Sequence, residues 1–243
     1  MKINYTRDQK AVYGEIVTKD CYRMNRWENN FFDNIVDIGS SLGTFTLYAH
    51  MRHPRAKIFA YEPCKMAFDF AVKDSCYFKN IIHINEALGD GEDLFLYKTD
   101  WFTHTLFYKN GENDIFSMDS NTYPIKSRSL HQIFELNKIN KNDKNYIKID
   151  CEGGERFLIN DEKSIDIINN FCCGCSIEVH FPPVRETAKY YERFKSFPKW
   201  EIYNEWIYSE FGKNHNIEYV FSSKYRGAGT YNLLKKEYGE KNV

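Results

Sequence analysis

Short apolar runs bounded by turn residues alternate along the chain with stretches whose apolar residues recur at helical spacing. That rhythm predicts parallel strands joined by crossover helices, an α/β architecture. A leading helix is expected over residues 8–27, with Val12, Ile16 and Met24 near one face. The first strand falls at 35–38, and the helix after it, at about 42–51, stops before Pro54 as a helix should. A second strand, Lys57–Tyr61, leads into a helix running from Pro63 to about Lys73, and a third strand covers 81–85. The middle breaks the rhythm: 94–97, 105–108 and 122–126 read as short strands around the polar loop "KNGENDIFSMDSN". Alternation resumes with a helix at 130–136, the strand "YIKID", a helix after Gly154 and the strand "CSIEVH". Beyond "FPP", residues 184–197 carry Tyr190, Tyr191, Phe194 and Phe197 at helical spacing, a pattern of core packing. Residues 200–206, 218–222 and 230–234 read as antiparallel strands.

Length and charge narrow the partners. A chain of 243 residues is within reach of one large α/β domain, so 1–243 is read as a single domain. It comprises an N-terminal helical segment, 1–31, and an insertion of short strands, 94–128. The insertion, with Trp101, His104 and Tyr108, is a candidate substrate lid. Lys+Arg number 33 against Asp+Glu 34, a formal net charge of -1, so no basic field directs the chain to nucleic acid or to an anionic membrane. No apolar run approaches the roughly 18 to 20 residues of a membrane span, and "MKINYTRDQK" lacks the apolar core of a signal peptide. A cytoplasmic protein is expected. The seven cysteines form no repeated C-x-x-C pair, which favours reduced thiols. The tract "CCGC" alone does not supply the two separated ligand pairs of a zinc site.

"NIVDIGSSLGTFTLYAH", from Asn34 to His50, carries the first candidate chemistry. A dinucleotide fold wants G-x-G-x-x-G, so that bare amides and a helix end hold a pyrophosphate. Here Gly39 and Gly43 follow Asp37, whose carboxylate repels a diphosphate and disfavours a nicotinamide oxidoreductase. It suits a ligand with an ammonium or sulfonium, as in S-adenosylmethionine. Glu62, at the end of the second strand, has the spacing of an acid that reaches a ribose diol. In "NEALGD", Ala87 and Leu88 could flank an adenine. The plain alternative is that Asp37 and Glu62 cap the helices that follow them.

A second group lies in "IKIDCEGGE". Asp150 and Glu152 share a face if the strand continues, and Gly153 and Gly154 allow a close turn beside them. The first and fourth strands should be neighbours where strand order reverses, which turns Asp150 toward the crevice of Gly39. Glu155 reads as an ordinary first-turn helix acid. In "SIEVH", Glu178 and His180 share a face, and His180 is the candidate general base. Asp150, Glu152 and His180 would also suit a divalent cation by ligand type, though none is predicted.

Together, "DIGSSLGTFTLYA", "FAYEPCKMAF", "NEALGD", "SRSLHQIF", "YIKIDCEGGERFLI" and "IEVH" resemble the FkbM-type S-adenosylmethionine-dependent methyltransferases over residues 32–180. The resemblance implies a Rossmann-like class I methyltransferase fold: a mostly parallel seven-stranded sheet, helices on both faces, and an antiparallel C-terminal hairpin. It implies O-methylation of a hydroxyl on a sugar, a glycan or a small metabolite, with S-adenosylhomocysteine as product. Asp37, Gly39, Ser41, Gly43, Glu62, Pro63, Glu86, Ala87, Leu88 and Asp150 then fall on the cofactor side, and Asp150, Glu152 and His180 are the catalytic candidates. Ser41 stands where the family usually has asparagine, and Ser129-Leu130-His131 replaces its T-L-D. Two rival readings are an RNA methyltransferase, using the aromatic-rich carboxyl half and "SSKYRGAG", and a catalytically inactive cofactor-binding module.

Overall fold

A computed structural model describes residues 7–92, 94–98, 105–109, 122–159, 161–181, 198–223 and 228–239. Seven strands form the main sheet: β1 (Asn34–Ile38), β2 (Lys57–Tyr61), β3 (Ile81–Ile84), β9 (Asn145–Ile149), β10 (Cys172–His180), β11 (His215–Ser223) and β12 (Ala228–Lys235). Their order across the sheet is β11-β12-β10-β9-β1-β2-β3. The pairs β1–β2, β1–β9, β2–β3 and β9–β10 are parallel, and β12 runs antiparallel to both its neighbours. Order reverses between β1 and β9, so a crevice opens at their carboxyl ends. This is the strand order the class I methyltransferase expectation requires, with its closing hairpin.

Alternation along each strand divides the core in two. Val36, Ile38, Ile147, Ile149, Ile177 and Val179 pack with Leu130 and Ile133 of α4 (Leu130–Leu136), Ile167 and Ile168 of α5 (Glu162–Phe171), and Tyr203 and Phe211 of α6 (Trp200–Phe211). On the other face Ile35, Ile58 and Tyr146 pack with Phe45 and Ala49 of α2 (Thr44–Arg52) and with Tyr22, Met24 and Trp27 from the amino-terminal segment. The helix α3 (Lys65–Ser75) joins β2 to β3. In the inserted region β5 (Leu94–Lys98) pairs antiparallel with β6 (Thr105–Lys109) and β7 (Thr122–Ile125), while β4 (Ala87–Leu88) pairs with β8 (Ser127–Arg128).

Three expectations change. Residues 200–206 are not a strand but the start of α6, whose buried Tyr203, Trp206, Ile207 and Phe211 recur at helical spacing. The aromatic and β-branched content that suggests a strand is overridden by that period. The leading helix is broken: α1 (Arg7–Tyr13) passes into a π-helical turn, Gly14–Thr18, and a separate 3₁₀ turn covers Met24–Arg26. The break lies at Asp20, whose carboxylate accepts from the backbone N–H groups of Met24 (2.9 Å) and Asn25 (3.0 Å) in place of helical carbonyls. The fourth strand ends at Ile149, one residue short of Asp150. The helix expected at 184–197, with Tyr190, Tyr191, Phe194 and Phe197, lies outside the described residues, as do Trp101 and His104. No helix among the described residues is long and apolar enough to cross a membrane.

Candidate functional site

The crevice begins with backbone. Gly39 leaves β1 with φ +76°, and a Cβ there would stand 1.8 Å from the carbonyl oxygen of Asp150, so the ends of β1 and β9 approach closely only because this residue has no side chain. The Gly39 and Ser40 amides donate to the Tyr61 carbonyl at the end of β2. Ser41 then adopts φ 49°, and Gly43, at φ 82°, precedes the first turn of α2.

Asp37 lies beneath this loop, fully buried. Parallel register sets Lys148 of β9 directly beside it, and the Lys148 ammonium sits 3.1 Å from one Asp37 oxygen while the Thr46 hydroxyl donates to the other at 2.6 Å. Lys148 also donates to the Gly39 carbonyl at 2.7 Å. Burial by itself lowers the ammonium's pKa, but Asp37 and then Asp150 outweigh it and hold the group above its ordinary value. The expectation that Asp37 presents negative charge to a cationic ligand therefore needs correction: its charge is matched by Lys148, and it acts on the ligand loop from below. A lysine inside an otherwise apolar strand was the sequence signal for this partner.

Glu62 faces the same loop from β2. Its two oxygens accept from the Ser41 N–H (2.7 Å) and the Cys64 N–H (2.8 Å), so it ties the first loop to the start of α3. Burial raises its carboxyl to about 7, against the opposing pull of those amides. Asn85 donates to the carbonyls of Glu62 and Pro63, which fixes the edge next to the "EAL" segment. Ala87 and Leu88 are buried in β4, while Glu86 turns away into a paired contact with Arg128, at 2.8 and 3.1 Å. The replacement of T-L-D does not uncap α4, because Ser129 and Gln132 form a reciprocal capping box; His131 faces Glu135 at 3.1 Å. A cleft of about 460 Å³ opens at the start of α3, lined by Cys64, Lys65, Met66, Asp69 and Tyr123.

Across the crevice the chemistry is acidic. Glu152 reaches the site through a left-handed turn (φ 53°) rather than by continuing the strand, and its carboxylate lies 3.5 Å from His180 Nε2. Glu155 is not an exposed helix acid: it is fully buried, accepts from the Gly153 and His180 backbone N–H groups, and lies 3.0 Å from His180 Nδ1. Burial alone would lower the imidazole pKa, but Glu152, Glu155 and Glu178 together raise it to about 10. This shift favours the protonated ring and works against the general-base role expected of His180.

One group that sequence reasoning left out joins the site, beside the expected Glu178. Tyr22, from the amino-terminal segment, donates its hydroxyl to Asp150 Oδ2 at 2.7 Å and lies 3.5 Å from Glu178 Oε2. Burial, with the charges of Asp150 and Glu178, keeps this phenol protonated well above its ordinary pKa. Glu178, also reached by the Thr230 hydroxyl, is raised by burial and by the neighbouring Asp150 charge. Tyr22 stands 128 residues from its partner, so no local pattern announces it.

The methyltransferase FkbM domain model matches residues 37–212, from the first acid of the crevice to the end of α6. The chain belongs to the FkbM methyltransferase family. Among curated proteins, it is 41% identical over 62 residues to methyltransferase sdnD of Sordaria araneosa and 37% identical over 61 residues to 31-O-demethyl-FK506 methyltransferase FkbM of Streptomyces tacrolimicus. Those stretches cover 26% and 25% of this chain but only 23% and 24% of the two relatives. Methyltransferase 1 of Beauveria bassiana is 25% identical over 177 residues, covering 65% of this chain and 70% of that protein. Among solved structures, N-methyltransferase NodS of Bradyrhizobium japonicum covers 96% of this chain and 99% of its own, with 7% identity and a TM-score of 0.48. In this FkbM domain the Gly39–Glu62 side of the crevice adjoins the acid-rich side through Lys148.

Proposed function

We propose that this protein transfers a methyl group from S-adenosylmethionine to a hydroxyl on a sugar, a glycan or a small metabolite. The observation that carries this reading is the tie between the first loop and Glu62: the Ser41 amide meets the Glu62 carboxylate at 2.7 Å, at the point where strand order reverses. A nucleoside entering there meets a carboxylate able to accept from both ribose hydroxyls, and Ala87 and Leu88 flank its base. Gly39, Ser41 and Gly43 give the methionyl end backbone to lie against, while Pro63 shapes the turn after Glu62. S-adenosylhomocysteine is the product.

The acceptor then lies on the Asp150, Glu152 and Glu178 side. In the transfer the sulfur–methyl bond breaks, an oxygen–methyl bond forms in line, and the acceptor's proton passes to a nearby carboxylate. Orientation of the two substrates supplies most of the catalysis. His180 holds the carboxylates in place as their counter-charge. The described strands of the insertion, β5, β6 and β7, would serve as a lid. A formal net charge of -1 offers nothing to an RNA backbone, which favours the small-molecule reading.

Calorimetric titration of the purified chain with S-adenosylhomocysteine tests the reading, followed by transfer of labelled methyl to a panel of hydroxylated acceptors. Saturable heat and label on oxygen are expected. No heat from either the donor or its product would overturn it.

A further inference from the structure

From the acidic half of the crevice we infer a binding site for one divalent cation of the Mn²⁺ or Mg²⁺ type, held by Asp150, Glu178 and His180. One ligand atom of each lies within 4.8 Å of the other two. Ligands on a single octahedral ion with bonds near 2.1 Å are roughly 3 to 4.2 Å apart, so closing on a cation needs shifts of up to about 1 Å per side chain. The ligands stand at the ends of two adjacent parallel strands, β9 and β10.

Two further observations point to a cation rather than to a simple ion pair. Glu155, fully buried, holds His180 Nδ1 at 3.0 Å and the His180 backbone N–H at 2.7 Å. This fixes the ring with Nε2 toward the crevice, as carboxylate–histidine–metal arrangements do. Glu152, Asp150 and Glu178 stand around the same ring. Secondly, the Tyr22 hydroxyl points its proton between Asp150 and Glu178, at 2.7 and 3.5 Å. It places a partial positive charge where a cation would place a full one.

Two carboxylates and one imidazole suit Mn²⁺ well and Mg²⁺ less well. Nε2 would offer its lone pair to the metal. Resting on the methyl-transfer reading, this inference also narrows the acceptor: open coordination positions would take its hydroxyl together with an adjacent oxygen, as in a vicinal diol or a hydroxy-carbonyl compound. The bound hydroxyl gives its proton to Glu152, its oxygen takes the methyl, and the electron pair of the broken sulfur–carbon bond stays on sulfur.

The test is Mn²⁺ binding to the full chain freed of metal by a chelator, followed by electron paramagnetic resonance and calorimetry, beside a separate titration with S-adenosylhomocysteine. One Mn²⁺ per chain is expected, with pulsed-resonance coupling to a histidine nitrogen, competition by Mg²⁺, and at least tenfold weaker binding in folded Glu178→Gln. Absence of saturable Mn²⁺ binding, absence of the nitrogen coupling, or undiminished binding in Glu178→Gln would overturn the site. A chain that binds S-adenosylhomocysteine but not Mn²⁺ loses this inference and keeps the methyl-transfer reading. The reverse result keeps the site and removes that reading.

Discussion

At the carboxyl ends of β1 and β2 each acid has its partner close by, Lys148 for Asp37 and the Ser41 and Cys64 amides for Glu62, whereas at β9 and β10 several acids crowd one imidazole. The first half is a nearly neutral cradle made of backbone. The second is a concentration of negative charge held by Glu155 and by a tyrosine from the far end of the chain. The difference teaches what each half can recognise. A cradle of amides and one acid selects by shape and hydrogen bonding, while a cluster of acids selects by charge.

Lys148 joins the halves, standing 3.1 Å from Asp37 and 3.9 Å from Asp150. Removing it should therefore break the comparison most severely. Lys148→Met leaves the Asp37 charge buried without its counter-ion, a loss of about 3 to 5 kcal/mol, measurable as a lowered urea midpoint at unchanged slope. The double variant Asp37→Leu with Lys148→Met should regain most of that loss, because an apolar pair needs no counter-charge. Equal instability in the double variant would show that Lys148 matters through its hydrogen bonds to Gly39 and Ile38 rather than through Asp37.

The neutral half is also the half the sequence announces. Strand, acid, glycine, turn and helix follow one another within "DIGSSLGTF", so Asp37, Gly39 and Gly43 are local features, and Glu62 comes at a fixed distance along the next strand. The acidic half is assembled over long range: Tyr22 reaches Asp150 across 128 residues, and the turn through Glu152 replaces the expected strand alternation. Glu155 reads as an ordinary first-turn helix acid, which it is, and the packing of β10 over the 3₁₀ turn Gly154–Leu158 buries it. The same limit applies to α6, where aromatic residues have strand propensity and tertiary burial decides for the helix.

A pH series should sharpen the contrast at Glu62. With its carboxyl at about 7 in the folded chain, Glu62 is mostly protonated at pH 6 and mostly ionised at pH 8. In the proposed cofactor pose only the carboxylate form would accept from both ribose hydroxyls. Affinity for S-adenosylhomocysteine should then rise by about tenfold over that interval in wild type and stay flat in Glu62→Gln. The sign for stability is opposite. The folded chain keeps a proton that the unfolded chain releases near 4.5, so this group's contribution falls as pH rises from about 4.5 to 7 and is constant above it. Urea midpoints of wild type and Glu62→Gln across that window read the contribution directly.

The smallest effect concerns the backbone of the two turns. Ser41 and Glu152 both occupy the left-handed region, at φ 49° and 53°, where asparagine is more at ease than most residues with a Cβ. Ser41→Asn should relieve about 0.5 kcal/mol of this strain, raising the melting temperature by about 1 to 2 °C. Binding of S-adenosylhomocysteine should be retained, since the contact with Glu62 is made by the backbone amide and not by the side chain. The same substitution at Glu152 relieves an equivalent turn but takes a carboxylate from beside His180. If charge is what the acidic half is built for, the two variants part: calorimetry should find Glu152→Asn no more stable than wild type while Ser41→Asn gains. Equal gains at both positions would mean that the acids around His180 contribute no more to the fold than any solvent-exposed turn.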